Sequence, residues 1–298
     1  MNFKQAIQVT IFASCFLSYR ILSSFLNQYS TTLSLSQLQP SPTIKPPTKS
    51  STTPKPVINN TPKSFQQITL LFDNREEVYK RIKPKTVALT FDDGPDIYTE
   101  KILNAFLEHN KKHNLSNKRA AKATFFVIGK RITNYTCRVI ERIYKEGHEI
   151  GNHTYSHLRF NQISPQRQRE EISEAEKAIK KCNSYIQVRW FRPPYGLYDI
   201  STINLIKEKK LHIALWTIDT NDWRKSVSFD AIIQSVINTS GQDVVLMHDG
   251  REINMDKPHE DLSLVRDNTV NALPTILERL SQKNIEITTL SEAFGLSQ

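Results

Sequence analysis

The chain has 298 residues, which is enough for one large or two ordinary domains. Its formal net charge at pH 7 is +10, but residues 1–63 contain six basic residues and no acidic residue, so only +4 belongs to the rest. The rest shows no stripe of Lys and Arg interleaved with aromatic residues, which argues against a nucleic-acid-binding protein.

Residues 1–29 predict a signal peptide or a membrane anchor. Residues 5–19 follow Lys4 and contain no charged residue, which is typical of the apolar core of a signal peptide. Arg20 interrupts the apolar run, so a membrane span of roughly 20 apolar residues is not cleanly present, and no small-residue cleavage site follows. A cleaved signal and a retained anchor both stay open, and both predict an extracytoplasmic protein, secreted or anchored to the membrane.

Residues 30–63 predict a disordered linker. They consist largely of Ser, Thr, Pro and Lys with almost no large apolar residue, so they cannot bury enough surface to offset their ordering entropy. The positive charge of residues 1–63 favours contact with an anionic membrane or cell-envelope surface.

The three cysteines are too few for a disulfide framework. With the N-terminal Cys15 set aside, Cys137 and Cys182 either pair in an oxidising compartment or stay as two separate buried thiols. The sequence leaves both alternatives open.

From about residue 85 onward, short apolar runs alternate with amphipathic segments. The runs, rich in β-branched and aromatic residues, predict strands at 86–91, 123–129, 148–153, 188–192, 212–218, 243–248 and 285–290. Apolar residues three to four apart predict helices at 98–109, 138–147, 169–182, 199–210, 229–240 and 270–284. Pro274 is expected to kink the last helix or to delay its start.

About seven strand–helix repeats predict a parallel sheet covered by helices, either a doubly wound sheet or a barrel. A glycine-rich dinucleotide motif and a P-loop are both absent from the sequence, which argues against nucleotide binding. In both architectures the chemistry collects at the carboxyl ends of the strands. Five predicted strands end in polar groups: Asp92 and Asp93; His153 and His157; Arg192 followed by Tyr195; Asp219, Asp222 and Trp223; His248 and Asp249.

The histidines His153 and His157 indicate a metal site. Side chains four residues apart share one face of a helical turn and can reach the same ion, although surface or capping histidines show the same spacing. Asp93 would complete a site of two histidines and one carboxylate, and a divalent cation would offset the repulsion between Asp92 and Asp93. Spacing alone does not decide which aspartate is the ligand.

The remaining polar residues suggest acid–base chemistry. The second aspartate can take the proton of a water that attacks a carbonyl group, and Arg192 can hold that carboxylate with its forked guanidinium, unless it forms a surface ion pair. His248 can protonate a leaving group while an aspartate stabilises its charged form, unless it is a buried histidine bonded to backbone. Trp223 can stack on a sugar, whereas Tyr195, Phe91 and Trp223 itself also fit a core.

Together these motifs resemble the NodB-homology polysaccharide deacetylases, carbohydrate esterase family 4. The family patterns T-F-D-D-G-P, H-[ST]-x-x-H, R-x-P-[YF]-G, D-x-x-D-W and L-x-H-D are matched in order at 90–95, 153–157, 192–196, 219–223 and 246–249. The resemblance covers about residues 84–295, which we therefore expect to form the catalytic domain.

The resemblance implies a distorted (β/α) barrel of about seven repeats around a divalent metal, Zn²⁺ or Co²⁺. It implies that Asp92 is the general base, that Arg192 positions it, and that Asp93, His153 and His157 bind the metal. It further implies that the Tyr195 backbone N–H stabilises an oxyanion and that His248 is the general acid, tuned by Asp222.

The leading interpretation is a metal-dependent deacetylase that removes N-acetyl groups from an extracytoplasmic amino-sugar polymer, either peptidoglycan N-acetylglucosamine or a chitin-like oligosaccharide. Within the same fold, an O-acetyl xylan esterase or a deacylase of small amides or formyl sugars is an alternative. A catalytically inactive sugar-binding module at the cell wall is a third interpretation, and the presence of all three ligand residues argues against it.

Overall fold

The structure is a computed structural model that describes residues 81–116, 119–251 and 266–296. The predicted signal or anchor segment, 1–29, and the predicted linker, 30–63, lie outside these described residues. Among the helices within the described ranges, none is long and apolar enough to cross a membrane.

The described residues contain one parallel sheet of eight strands. The strands are β1 (Thr86–Asp92), β2 (Thr124–Val127), β3 (Glu149–Asn152), β4 (Trp190–Phe191), β5 (His212–Ile213), β6 (Ile218–Asp219), β7 (Asp243–His248) and β8 (Glu286–Thr288). Their order is β5-β4-β3-β2-β1-β7-β6, and β8 pairs with the beginning of β1. Because all pairs are parallel, the carboxyl ends of the strands lie at one rim.

All six predicted helices are present. The helices of the described residues are α1 (Ile97–Lys112), α2 (Cys137–Lys145), α3 (Pro165–Cys182), α4 (Ile200–Glu208), α5 (Phe229–Ile237), α6 (Asp267–Gln282) and the short α7 (Leu290–Ala293). The expectation that Pro274 delays the last helix is wrong, because α6 begins before it. Pro274 lies on the exposed face, where water can bond the carbonyl that the ring leaves without a donor.

The run predicted as one strand over 212–218 forms two strands, which lie at the two ends of the strand order. Its first part, β5, pairs with β4, and its second part, β6, pairs with β7. Between them, the carbonyl oxygens of Ala214 and Leu215 accept hydrogen bonds from the Arg192 guanidinium at 3.2 and 3.1 Å, so a side chain replaces the ladder there. The segment joins both ends of the strand order, and the predicted distorted (β/α) barrel is confirmed.

Side-chain alternation along β1 separates the helix-covered core from the barrel interior. Val87, Leu89 and Phe91 belong to the cluster that also contains the apolar residues of α1 and α6. Ala88 belongs to a second cluster with Phe126 and Trp190, inside the barrel. Thr90 and Asp92, which follow Ala88 at every second position of β1, therefore point into the barrel mouth.

A disulfide joins Cys137, the first residue of α2, to Cys182, the last residue of α3, with the two Cα atoms 5.1 Å apart. The alternative of two separate thiols is therefore wrong. The bond spans 45 positions along the sequence, and closing a loop of that length stabilises a fold by roughly 3–4 kcal/mol in the chain-entropy account. The closed loop contains β3 and both candidate metal-binding histidines.

Candidate active site

The two adjacent aspartates at the end of β1 have different partners. One oxygen of Asp92, Oδ1, accepts a hydrogen bond of 2.7 Å from Arg192. Asp93 has a left-handed φ of 77°, a conformation that costs a non-glycine residue energy and that often marks functional sites. Its Oδ1 atom lies near the two histidines rather than near Arg192.

Asp93, His153 and His157 bring three metal-ligating atoms together. Asp93 Oδ1 lies 3.3 Å from Nε2 of His157 and 3.5 Å from Nε2 of His153, and the three ligand atoms all lie within 4.8 Å of one another. Asp93 Oδ1 is buried and accepts no hydrogen bond from the residues that the structure describes, which is costly for a carboxylate. The residues fit a divalent cation, which would satisfy this oxygen.

The protonation states at this cluster suit a cation. Burial alone raises the pKa of Asp93, but the positive charges of His157 and its neighbours outweigh burial and hold that pKa well below its usual range. Burial lowers the pKa of His157 to about 4. Burial also lowers the pKa of His153, but Asp92 and Asp93 outweigh it and raise that pKa, so a proton on His153 is what a metal ion would displace.

The loop that carries the two histidines is not helical, so the predicted helical turn is wrong. Thr154 and His157 have left-handed φ values of 65° and 60°. The backbone N–H of Thr154 donates to the side chain of Asn152 at 2.8 Å, and that of His157 donates to the hydroxyl of Thr154 at 3.0 Å. These local side-chain bonds replace the helical hydrogen bonds, while the His153 Nδ1–H donates to the Arg192 carbonyl oxygen at 2.8 Å.

Glu171, a residue of α3, supports this loop. The sequence did not predict this role. Its buried carboxylate accepts the backbone N–H groups of Tyr155 and Ser156 at 3.0 and 2.7 Å, and the Ser156 hydroxyl at 2.6 Å. Arg167 also donates to it, at 2.7 Å. The sequence contains one indication of this role: Glu171 is a charged residue next to Ile172, on the apolar face of a predicted helix.

Arg192 is fully buried, which rules out a surface ion pair. The Nη1 group that bonds Asp92 also donates to the hydroxyl of Thr90 at 2.8 Å, and the guanidinium lies 4.1 Å from the ring centre of Phe126. Because three further bonds, to Thr90, Ala214 and Leu215, hold the guanidinium in the barrel wall, it fixes Asp92 Oδ1. The other oxygen, Oδ2, lies 3.7 Å from Nε2 of His153, on the side of the candidate metal site.

His248 stands at the end of β7, directly opposite Asp92 in the sheet register. Its Nδ1–H donates to Oδ1 of Asp222 at 2.7 Å, so the alternative of a histidine ring bonded to backbone is wrong. Oδ2 of Asp222 accepts the backbone N–H of His248 at 2.8 Å and the hydroxyl of Thr269 at 2.7 Å. Burial lowers the pKa of His248, but Asp222 outweighs it and raises that pKa to about 9.

Comparison with known proteins places this site in a family. A family model described as polysaccharide deacetylase matches residues 79–214. The chain is 34% identical over 214 residues to a peptidoglycan-N-acetylglucosamine deacetylase of Bacillus cereus, an alignment that covers 71% of this chain and 69% of that protein. The chain belongs to the polysaccharide deacetylase family.

Two further comparisons agree. This deacetylase is 31% identical over 205 residues to a chitooligosaccharide deacetylase of Bradyrhizobium sp., covering 68% of this chain and 88% of that one. Its fold is similar to the solved structure of a family 4 carbohydrate esterase from Streptomyces lividans in complex with acetate, with a TM-score of 0.55 and 28% identity over 68% and 90% of the two chains. The resemblance to carbohydrate esterase family 4, and with it the enzyme class, is confirmed.

Asp249, like Glu171, positions a loop of the active site of this deacetylase, and the sequence did not predict this role. It is buried, its Oδ1 accepts the backbone N–H of Gly94 at 3.1 Å, and its Oδ2 accepts the hydroxyl of Thr99. A Cβ atom on Gly94 would lie 2.3 Å from Asp249 Oδ2, so only glycine allows this approach. Burial raises the pKa of Asp249 to about 7. The contact joins the loops that follow β1 and β7.

Of the aromatic residues at the predicted strand ends of the deacetylase, Tyr195 and Trp223 are exposed and Phe91 is buried. Tyr195 is 45% exposed, its ring centre lies 4.9 Å from that of His157, and its backbone is left-handed, with φ at 59°. Trp223 is 39% exposed with the guanidinium of Arg224 over its ring, whereas Phe91 belongs to the core. Asp219 accepts the backbone N–H of Asn221 at 2.8 Å and shapes its turn. The roles of Tyr195 in oxyanion binding and of Trp223 in sugar binding stay predictions.

The Asp222→Asn variant of this deacetylase should change the pH profile. The raised pKa of His248 keeps the imidazole protonated below about pH 9, so an acid role for His248 is lost as the pH rises through that value. Removing the carboxylate charge leaves burial to dominate and should lower the pKa by about 1–3 units. The alkaline limb of kcat/KM, measured against pH, should move down by the same amount.

Thr269→Val is the matched control for this profile, because it removes one hydrogen bond to Asp222 and keeps the carboxylate charge. The alkaline limb of kcat/KM should move less in Thr269→Val than in Asp222→Asn. An alkaline limb at the same pH in the wild-type and Asp222→Asn proteins would contradict the acid role of His248.

Proposed function

We propose that this protein removes N-acetyl groups from an extracytoplasmic amino-sugar polymer of the peptidoglycan or chitin class, in a metal-dependent reaction. The observation that carries the proposal is the buried Asp93 oxygen between His153 and His157, which accepts no hydrogen bond within the described part of the chain and lies next to a carboxylate that Arg192 fixes. Relatives named for peptidoglycan N-acetylglucosamine and for chitooligosaccharides support an amino-sugar substrate.

Asp93, His153 and His157 would hold the cation, with Zn²⁺ the leading candidate and Co²⁺ the alternative for this ligand set. When bound, such an ion supplies Lewis acidity to the acetamide carbonyl and to the attacking water. Asp92 accepts a proton from the attacking water. Arg192 binds Oδ1 of Asp92 and thereby leaves Oδ2 on the side of the candidate metal site.

The opposite side of the site provides the acid. His248, charged through its bond to Asp222, donates a proton to the sugar nitrogen as the carbon–nitrogen bond breaks. Acetate and a free amine are the products. The backbone N–H of Tyr195 stabilises the negative charge that develops on the carbonyl oxygen, and the exposed ring of Trp223 stacks on the sugar.

We also propose that the protein works outside the cytoplasm, secreted or held at the membrane or cell envelope by its N-terminal segment. Two observations support this location. Residues 5–19 have the apolar composition of a signal-peptide core, and Cys137 forms a disulfide with Cys182, a bond that persists in oxidising compartments.

Mass spectrometry of products tests the substrate class. The zinc-loaded protein is incubated with peptidoglycan fragments, chitooligosaccharides and acetylated xylan in parallel, and a His248→Asn variant serves as the inactive control. The proposal expects loss of acetyl groups from at least one amino-sugar substrate. Acetate release from xylan alone would indicate the O-acetyl esterase, and no release from any substrate would favour an inactive sugar-binding module.

A further inference from the structure

Helices α1 and α6 carry a second group of metal-ligating side chains outside the candidate active site. His109 lies in the last turn of α1 and His113 caps its carboxyl end, while Glu278 projects from α6. One ligand atom from each lies within 4.8 Å of the others. Since α1 begins next to the aspartate loop and rises 1.5 Å per residue, this group lies about 20 Å further along the helix axis.

The contacts within this group are those of a compact site. Nε2 of His113 lies 2.9 Å from Oε2 of Glu278, and the rings of His109 and His113 have their centres 4.6 Å apart. Nε2 of His109 lies 3.1 Å from the hydroxyl of Ser281 on α6, a bond that fixes the orientation of the ring. Unlike the pair in the active site, these histidines are one helical turn apart, with both side chains on one face.

The chemistry of the three side chains matches a divalent transition metal. His109 is only 6% exposed, so its imidazole lies in the contact between the two helices and not in solvent. Oε2 of Glu278 lies 2.9 Å both from Nζ of Lys112 and from Nε2 of His113, so the carboxylate faces positive and polar groups. Two imidazoles and one carboxylate form a donor set that Zn²⁺ accepts, with a further position left for water.

A plain ion pair is the competing explanation for the same geometry. Lys112 lies 2.9 Å from Oε2 of Glu278 and would have to give way to a cation. Its side chain is 66% exposed, so it can move into solvent at the cost of one surface ion pair, which is small. An ion pair alone gives no reason for the second, buried histidine, which contacts His113 and Ser281 rather than the carboxylate.

We propose that His109, His113 and Glu278 form a second site for Zn²⁺ or a similar ion, which clamps the end of α1 to α6. The opposite ends of these two helices hold positioning residues of the active site: Thr99 of α1 bonds Asp249, and Thr269 of α6 bonds Asp222. The second site is structural, because it lies remote from the acid and base groups. It does not depend on the proposed deacetylase reaction.

Zinc content per chain tests the second site. The full chain and its Glu278→Gln, His113→Ala and Glu108→Gln variants are dialysed against Zn²⁺, freed of unbound metal and analysed by elemental mass spectrometry. Glu108→Gln is the matched control. Glu108 is a carboxylate on α1, the helix that also carries His109, and it pairs with Lys111. The wild-type and Glu108→Gln proteins should hold one more ion than the other two.

The difference between variants decides the outcome, whatever the active site binds. If the active site held no metal, the wild-type chain would still lose one ion on substitution of Glu278 or His113. The increase in Tm that Zn²⁺ produces should also be smaller in Glu278→Gln, by about 5 °C at saturating metal. Equal zinc content in all four proteins would overturn the proposal and leave the cluster as an ion pair.

Discussion

The Asp92→Asn variant is expected to keep the fold and the metal but to lose turnover. The amide has almost the shape of the carboxylate, and its oxygen can still accept the hydrogen bond from Arg192 at the position of Oδ1. It cannot take a proton from the attacking water, and general base catalysis typically contributes about 10²–10⁴-fold to a rate. We therefore expect kcat on a chitooligosaccharide to fall by that factor, with zinc content unchanged.

Asp219→Asn is the matched control for this variant. Asp219 also lies at a strand end of the same rim, but its Oδ1 accepts the backbone N–H of Asn221, a bond that an asparagine oxygen can keep. The control should retain its activity. Full activity in Asp92→Asn would show that another group is the base, whereas loss of zinc from that variant would show that Asp92 is a metal ligand.

The His153→Ala variant is expected to lose both metal and activity, and strong chelation of the wild-type protein should have the same effect. His153 supplies one of three ligand atoms, and its buried ring is fixed by the Arg192 carbonyl. Removing an outer partner of a ligand typically weakens metal binding by about 10–100-fold, and removing the ligand itself should exceed that loss. Equilibrium dialysis with Zn²⁺ measures the affinity, and acetate release measures the activity.

Glu171→Gln provides the graded comparison, since Glu171 holds the histidine loop without offering an atom to the metal. Its affinity for Zn²⁺ should lie between those of the wild-type and His153→Ala proteins. Chelated wild-type protein should recover when Zn²⁺ or Co²⁺ is restored. Turnover that is insensitive to a strong chelator would contradict a metal-dependent reaction.

The positions of the candidate site residues follow from the sequence because parallel strands share one rim. Each motif follows an apolar run, so the end of the run fixes the rim position of its polar residues without knowledge of the loops. The pair Asp92 and His248 shows this well: the two residues end separate predicted strands and are register partners in the sheet. Their chemical roles, by contrast, came from the family resemblance.

What the sequence did not predict depends on contacts between distant segments. Glu171 and Asp249 act through bonds to backbone groups in loops of other elements, and periodicity carries no information on such partners. The strand over 212–218 divides because Arg192, the residue directly after β4, donates hydrogen bonds to its carbonyl groups. The histidine loop is non-helical because Asn152 and Thr154 bond its backbone locally, which spacing alone cannot distinguish from a helical turn.

The bond between Cys137 and Cys182 makes the intervening residues a covalent ring. A single proteolytic cut within that ring, for example beside the exposed Leu158, would release no fragment, because both new ends remain attached to the rest of the chain. His153 and His157 would stay tethered to the molecule that carries Asp93. For an enzyme proposed to work outside the cytoplasm, the ring gives tolerance to nicking in the segment that holds two of its three candidate metal ligands.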